Sequence, residues 1–560
     1  MKARIVYAAA ILPILVVLLL ALCAWGQSPV SREKLIEDTR QLARTIESVH
    51  PDPYINGGGK IAFHRRLQNI IGAIPNTGLP KDAYYRLLRP FIAAIGDSHT
   101  WLYAPYAQDP SHPGGIPLYF DIVDTSLFVA AVPSEEQRPL IGALLVSVEG
   151  VPFAGLVDRQ RALMPAENVY LVLRNLAGSG ALLWDTYLAD LLPEWKDRSK
   201  ITVVLQHPGK PTVTHVLDIP ERINFAGFMM SESTIKLPSR DRCDFVYDFI
   251  DSSGQTALLM IDDMMTYRES FEMLRALGVP ITDERTDPTY TRYHGTEPPA
   301  DINETIAGLP AVTDVFRSLV IDMKAAGTRT LLIDLRMNGG GNSTMSNILL
   351  YFLYGREKLQ SLHGRNLEIW KYSPEYFAMF GDSEFVAARQ HHNFALDSND
   401  YDFRQDYPHN GYPGPEAVRA DLETVVAQMP TFRGEYDAGT YDGYYLPENV
   451  VVLCSPFTFS SGYTLLYYLN QAGATVLGTS SAQAGNSFGD IMRFTLQHSE
   501  LRYQVSRKYF EQFPGDPERG TVLRPEYQIT PEILTRYNYD PNTEIRYAID
   551  LFAAQDSTKR

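Results

Sequence analysis

Four apolar runs in the C-terminal half constrain this chain more than any other feature: QTALLMI, TRTLLIDLR, ENVVVLCS and ATVLGTS. They are short, rich in Leu and β-branched residues and not interrupted by alternating polar positions, so they read as strands buried on both faces. Between them, LPAVTDVFRSLVIDMKAAG, STMSNILLYFLYG and GYTLLYYLNQAG carry apolar residues at three-to-four spacing and predict helices. Alternating strand and helix is the rhythm of βαβ units around a sheet. Ligands of such a sheet sit beyond the carboxyl ends of its strands. An α/β core over residues 236–560 is the expectation.

Upstream the pattern changes twice. REKLIEDTRQLARTIESVH and PKDAYYRLLRPFIAAIG have helical apolar spacing, which predicts an N-terminal helical domain over residues 27–112. PLYFDIV, SLFVAAV, ALLVSVEG and KITVVLQHPGKPTVTHVLDI are short strands around a helix-like LVDRQRALM and predict a β-rich module over residues 113–235. Inside the core, residues 381–445 form a long polar and aromatic connection, the kind of segment that serves as a lid or an insertion. Its His391, His392 and His409 fit no tight ligand spacing, so neither a metal nor another cofactor is expected.

The net charge of −16 and the lack of long basic runs exclude a nucleic-acid surface. Lys2 and Arg4 precede AAAILPILVVLLLALCAW and then Gly26-Gln27-Ser28, which reads as an export signal over residues 1–26. A cut before Gln27 is expected, with a retained membrane anchor as the alternative, because the run is about as long as a span requires. Leu22 stands where a lipoprotein signal at Cys23 needs a small residue. Either reading places the mature chain outside the cytoplasm, with the membrane a partner only through an uncleaved N-terminus. Cys243 and Cys454 are too few for a disulfide scaffold, and a single bridge between them stays open.

Three places carry chemistry. In LLIDLRMNGGGNS, Gly339-Gly340-Gly341 follow a strand and precede a helix, so backbone N–H groups there suit an anion or oxyanion. A phosphate loop needs Lys-Ser/Thr after the last glycine, and Asn342-Ser343 stand there instead. In AAIGDSHTWLY, His99 lies among Asp97, Ser98 and Thr100, groups able to orient a ring. In VVLCSPFTFSSGYTLLYYL, Ser460 and Ser461 sit where a strand turns into a helix. Local physics supports helix capping and nucleophilic attack equally, and the GxSxG elbow of α/β-hydrolases is absent.

Together, strand-D-L-R-x-N-G-G-G and, about a hundred residues later, strand-x-T-F-S resemble the C-terminal processing (tail-specific) serine protease family over most of the mature chain. The resemblance implies a ClpP/crotonase-like βαβ protease core with an N-terminal helical domain and a PDZ-like β-rich module, to which GALLVSVEGVP is similar. The family's Ser-Lys members carry T-F-G-K-G after the nucleophile helix, whereas Ala474–Ser487, ATVLGTSSAQAGNS, has no Lys. Gly96-Asp97-Ser98-His99-Thr100 instead resembles the G-D-x-H-T of the tricorn-core-like Ser-His branch.

The resemblance implies Ser460 as nucleophile, His99 as general base, Ser98 as auxiliary serine and Glu518 as auxiliary acid. The oxyanion hole would be the N–H of Ser461 with that of Gly340 or Gly341. Ser461-Gly462-Tyr463 departs from the small pair and Glu that usually follow the nucleophile. The implied activity is that of an exported serine endopeptidase acting on polypeptides, with cleavage near their C-termini an option that the resemblance carries. The alternative is a weak or inactive peptide- or ligand-binding protein on the same fold.

Overall fold

The computed structural model describes residues 29–105, 114–178, 180–363, 367–382, 385–386, 401–403 and 415–559. The export signal and His391, His392 and His409 lie outside the described residues. Among the described residues no helix is long and apolar enough to cross a membrane.

Three helices come first, α1 (Arg32–Val49), α2 (Gly59–Ala73) and α3 (Lys81–Ala93), followed by the short strand β1 (Trp101–Leu102). An antiparallel unit follows, built from β2 (Tyr119–Val123), β3 (Ser126–Val132), β4 (Leu144–Val148), α4 (Phe153–Leu163), α5 (Val169–Leu176), β5 (Lys200–Gln206) and β6 (Val213–Asp218). Its strands lie in the order β2-β3-β4-β5-β6.

The α/β core contains β7 (Phe245–Phe249), β8 (Thr256–Ile261), α6 (Val312–Ala326), β9 (Thr330–Asp334), α7 (Thr344–Leu362), β10 (Leu367–Lys371), β11 (Asn449–Cys454), α8 (Ser461–Ala472) and β12 (Thr475–Gly478). The long hairpin of β13 (Asn486–Thr495) and β14 (Arg502–Glu511), the short β15 (Tyr527–Gln528) and α9 (Thr543–Lys559) complete it.

The core sheet runs β15-β12-β11-β9-β8-β7. All neighbours are parallel except the edge strand β7, which the sequence reading missed. The apolar runs are continuous because both faces are covered. Ala257, Leu259, Leu331, Ile333, Val452 and Val476 face α6, α7 and α8. Leu258, Met260, Leu332, Val451, Leu453 and Leu477 face α9 and Val123 and Phe128 of the antiparallel unit. Each strand thus divides its side chains between two cores with a period of two.

The N-terminal helices do not pack on themselves alone. Leu35, Leu42, Phe63, Tyr84 and Phe91 share one buried cluster with Met492, Tyr503 and Val505 of the hairpin. β1 pairs antiparallel with β14, Trp101 opposite Gln504, which fixes the chain just after His99 against the core.

Part of the expected 381–445 connection is core. Helices Pro415–Ala427 and Pro430–Ala438 bury Leu422, Val426, Met429, Phe432 and Tyr436 in the cluster that holds β9 and β11. Leu422, Val426 and Met429 are spaced by four and three, a helical signal masked by the polar stretch before them. Cys243 and Cys454 are both buried and free, so no bridge joins them.

Candidate active site

Strands β9 and β11 are parallel neighbours whose carboxyl ends open into two turns, residues 335–343 and 455–460. The turns are fastened to each other rather than to solvent. Ser455 Oγ donates to the Arg336 carbonyl at 2.5 Å, Thr458 Oγ1 to the Leu335 carbonyl at 2.7 Å, and the Phe459 N–H to the Asn338 carbonyl at 2.9 Å. Buried Asn338 ties the assembly to β8, because its Nδ2 donates to the Ile261 carbonyl at 2.9 Å. Asn338 also explains Gly462: a β-carbon there would lie 2.5 Å from Asn338 Oδ1.

The Asp-Leu-Arg part of the motif anchors this end of the sheet. Arg336 bonds both Asp334 oxygens at 3.0 and 2.8 Å and Glu544 of α9 at 2.7 Å. Burial works against the guanidinium's charge, but the two carboxylates more than offset it and hold its pKa above the usual value.

Ser460 immediately precedes α8 with φ 52° and ψ −124°, a conformation that costs a non-glycine residue about 1–3 kcal/mol. Its side chain makes no capping bond to the helix. Its N–H donates to Gln483 Oε1 at 2.9 Å, and Gln483 Nε2 donates to Ser487 Oγ at 2.9 Å, so a side chain from the loop after β12 holds the strained residue. The conformation also needs space: a β-carbon on Gly340 would lie 2.6 Å from that of Ser460.

The backbone N–H groups of Ser461 and Gly341 have no protein acceptor among the described residues, and neither do those of Gly339 and Ser343 in the same turn. Gly341 has φ 143°, and a β-carbon on it would lie 2.3 Å from the Met264 carbonyl carbon. Gly340 is not a free donor, because its N–H is bonded to Asn338 Oδ1 at 2.9 Å. That corrects the expectation for Gly340: it provides clearance for Ser460 rather than an oxyanion contact. The Ser461 hydroxyl donates to the Gly341 carbonyl at 2.6 Å and accepts from Ser343 Oγ at 2.8 Å.

His99 arrives from the opposite wall, on the turn after α3. Buried Asp97 organises that turn: its carboxylate accepts the His99 N–H at 2.8 Å, Thr100 Oγ1 at 2.5 Å and Ser506 Oγ at 2.7 Å, and lies 3.1 Å from His50 Nε2. Burial alone would raise its pKa, but the contact with His50 and these donors bring it down to about 2. Gln504 Nε2 holds the His99 carbonyl at 2.8 Å.

The His99 ring stacks on Phe459, the residue before Ser460, with centroids 5.0 Å apart and planes 28° from parallel. Ser98 Oγ is 3.5 Å from its Nδ1. Burial lowers the ring's pKa, opposed by Asp97, the Phe488 carbonyl and Asp490, so the imidazole is neutral at neutral pH. His99, Gly341, Ser460 and Ser461 line one cleft of about 1000 Å³. No hydrogen bond joins Ser460 Oγ to His99 in this form; such contacts commonly tighten only when substrate binds.

Glu518 is elsewhere. It lies on the short helix Pro517–Thr521 with its side chain 80% exposed, 3.7 Å from Arg524, and does not line the cleft. Helix Pro517–Thr521 turns the carboxylate to solvent, so the expectation for Glu518 is corrected. The carboxyl beside the histidine turn belongs to Glu167, between α4 and α5: one atom each of Asp97, His99 and Glu167 lies within 4.8 Å of the others. The sequence reading passed over Glu167 and Gln483, and neither lies in a motif that would have marked it.

A strained serine after a strand, unengaged amides from a neighbouring glycine turn and a neutral histidine in one cleft are the equipment of acyl transfer. Residues 302–521 match the family model of peptidase family S41. The chain is a serine-type peptidase, and the matched residues, which hold the glycine turn and the serine turn, are similar to that family. The structure of mature CPAF complexed with lactacystin is similar in fold, with a TM-score of 0.51 and 12% identity over 94% of this chain and 98% of that one. A CPAF mutant gives a TM-score of 0.51 at 11% identity, over 91% and 96% of the two chains. No curated protein matches the chain in sequence.

Proposed function

We propose that the protein is an exported endopeptidase that hydrolyses polypeptides through Ser460 and His99. The observation that carries the reading is the strained Ser460, set beside the unengaged N–H groups of Ser461 and Gly341 in a cleft shared with His99. Ser460 Oγ attacks the peptide carbonyl while His99 takes its proton. The new C–O bond turns the carbonyl oxygen into an oxyanion, which accepts from the two N–H groups. Each donor supplies about 3 kcal/mol of barrier reduction. His99 then gives the proton to the leaving amine, and water releases the acyl group by the same steps.

The antiparallel unit is read as the PDZ-like module, adding a peptide's C-terminus as a strand and so directing cleavage toward chain ends. Export rests on the apolar N-terminal segment with its Lys2 and Arg4.

Labelling with a fluorophosphonate tests the chemistry. The parent protein should react and Ser460→Ala should not, while His99→Ala should react far more slowly. Label retained by Ser460→Ala would remove that residue as nucleophile. A parent that stays unlabelled across pH 5–10 and cleaves no peptide would leave the fold as a peptide-binding protein.

A further inference from the structure

The histidine turn has two carboxyl groups within reach, and they differ in what they have left to give. Asp97 is saturated: His50, Thr100, Ser506 and the His99 N–H use its oxygens. Glu167 is not. Its Oε2 accepts the Ala484 N–H at 3.1 Å, while its Oε1 is buried beside Ser98 without a well-formed hydrogen bond. A buried carboxyl oxygen with unused acceptor capacity is costly unless another group completes it.

Glu167 is also held firmly. The next residue, Asn168, caps α5 by accepting the Leu171 N–H at 3.2 Å and reaches across to the carbonyls of Ser481 at 3.3 Å and Thr521 at 3.2 Å. Six residues after Asn168, the Arg174 guanidinium lies over the rings of Phe457 at 5.1 Å and Phe459 at 5.3 Å. The segment from Glu167 to Arg174 thus spans the space between the histidine turn and the serine turn. Its position follows from docking of the antiparallel unit, whose core takes in Ala482 and packs against Phe459.

Building on His99 as the base, we propose that Glu167 is its positioning acid, acting through Ser98, so that the antiparallel unit completes the active site and the ionisation of Glu167 sets its activity. As an anion Glu167 accepts from Ser98 Oγ, which orients the His99 ring and favours the imidazolium formed during attack. As a neutral acid it does neither.

The groups facing it fix the pH range. Burial pushes the Glu167 carboxyl up to about 8, the Asp97 charge adds to this, and the N–H of Ala484 and Ser98 oppose it. Tyr463 of α8 and Tyr509 of β14 also lie within its field, and Asp490 of β13, paired with Lys508 and Arg507, faces His99 from the hairpin.

The test is the pH dependence of peptide hydrolysis by the full chain. The parent should show two ascending limbs in kcat, a lower one from His99 and an upper one near pH 8. Glu167→Gln keeps an acceptor for Ala484; it should lose the upper limb and fall about 10- to 100-fold in kcat at pH 9, with KM unchanged. Glu167→Asp should restore the limb in part. In the parent, the His99 ring resonances should show a second inflection near pH 8, a readout that needs no variant.

An unchanged profile in Glu167→Gln, or a limb removed by Glu518→Gln instead, overturns the proposal while leaving Ser460 and His99 in place. A parent inert to both peptides and fluorophosphonate overturns the functional reading and this inference with it.

Discussion

The serine turn and the histidine turn present one reactive side chain each, yet they are built in different ways. Residues 455–460 are sewn to the turn after the adjacent parallel strand and held by Gln483 from the loop after β12, so the bonds involved gather at one end of one sheet. Residues 97–100 are gathered by one buried carboxylate whose donors come from α1's end, the turn itself and β14. The first turn stores strain because its surroundings leave it no alternative. The second stores charge, and its geometry depends on pieces of chain far apart in sequence coming together. Backbone changes should therefore break the serine turn, whereas electrostatic changes should break the histidine turn.

Gly340→Ala should have the largest effect. With a β-carbon 2.6 Å from that of Ser460 and a φ of 104°, it should lower kcat by about 10³-fold, measured by peptide hydrolysis, and cost about 2 kcal/mol of stability. Asp97→Ala comes next, because it leaves buried donors without an acceptor; denaturant unfolding should show a loss of about 3 kcal/mol. Its charge also sets an acid limit. With the folded pKa depressed to about 2, Asp97 contributes stability above the ordinary carboxylate range that is lost as pH falls toward 2, and melting curves of Asp97→Ala should lack that loss.

Glu167 has the opposite sign. With a raised folded pKa it makes the parent lose stability between about pH 4.5 and pH 8, so Glu167→Gln should melt at a progressively higher temperature than the parent across that window. Gln483→Ala, which removes the acceptor for the Ser460 N–H, should lower kcat about tenfold with little change in KM. Glu518→Ala, at an exposed site, should change neither activity beyond twofold nor stability beyond about 0.5 kcal/mol.

The same contrast explains what the sequence revealed. The parallel sheet was legible because strands covered on both faces must be written as unbroken apolar runs, and the turns at their ends must sit next to those runs. Ser460 and the triple glycine could therefore be found by position. His99 was found only through the G-D-x-H-T resemblance, since the β1–β14 pairing that seats it joins residues about four hundred apart. Glu167 left no trace: an acid on a loop has no periodicity, and its environment comes from Ser98 and Ala484 on distant segments. Gly340 and Gly341 were legible as glycines but not as different ones, because their roles depend on where Asn338 and Met264 lie.

The free cysteines carry a practical consequence. Burial pushes the Cys243 thiol up to about 11 and that of Cys454 further, so neither supplies the thiolate on which alkylation depends. The described fold holds no covalent staple, so a reducing agent should leave its assembly and its turnover unchanged. Cys454 is the last residue of the strand leading to Ser460, completely covered between β9 and β12. Its rate of reaction with iodoacetamide becomes a clock for separation of the central strands, readable beside the nucleophile without introducing any foreign probe.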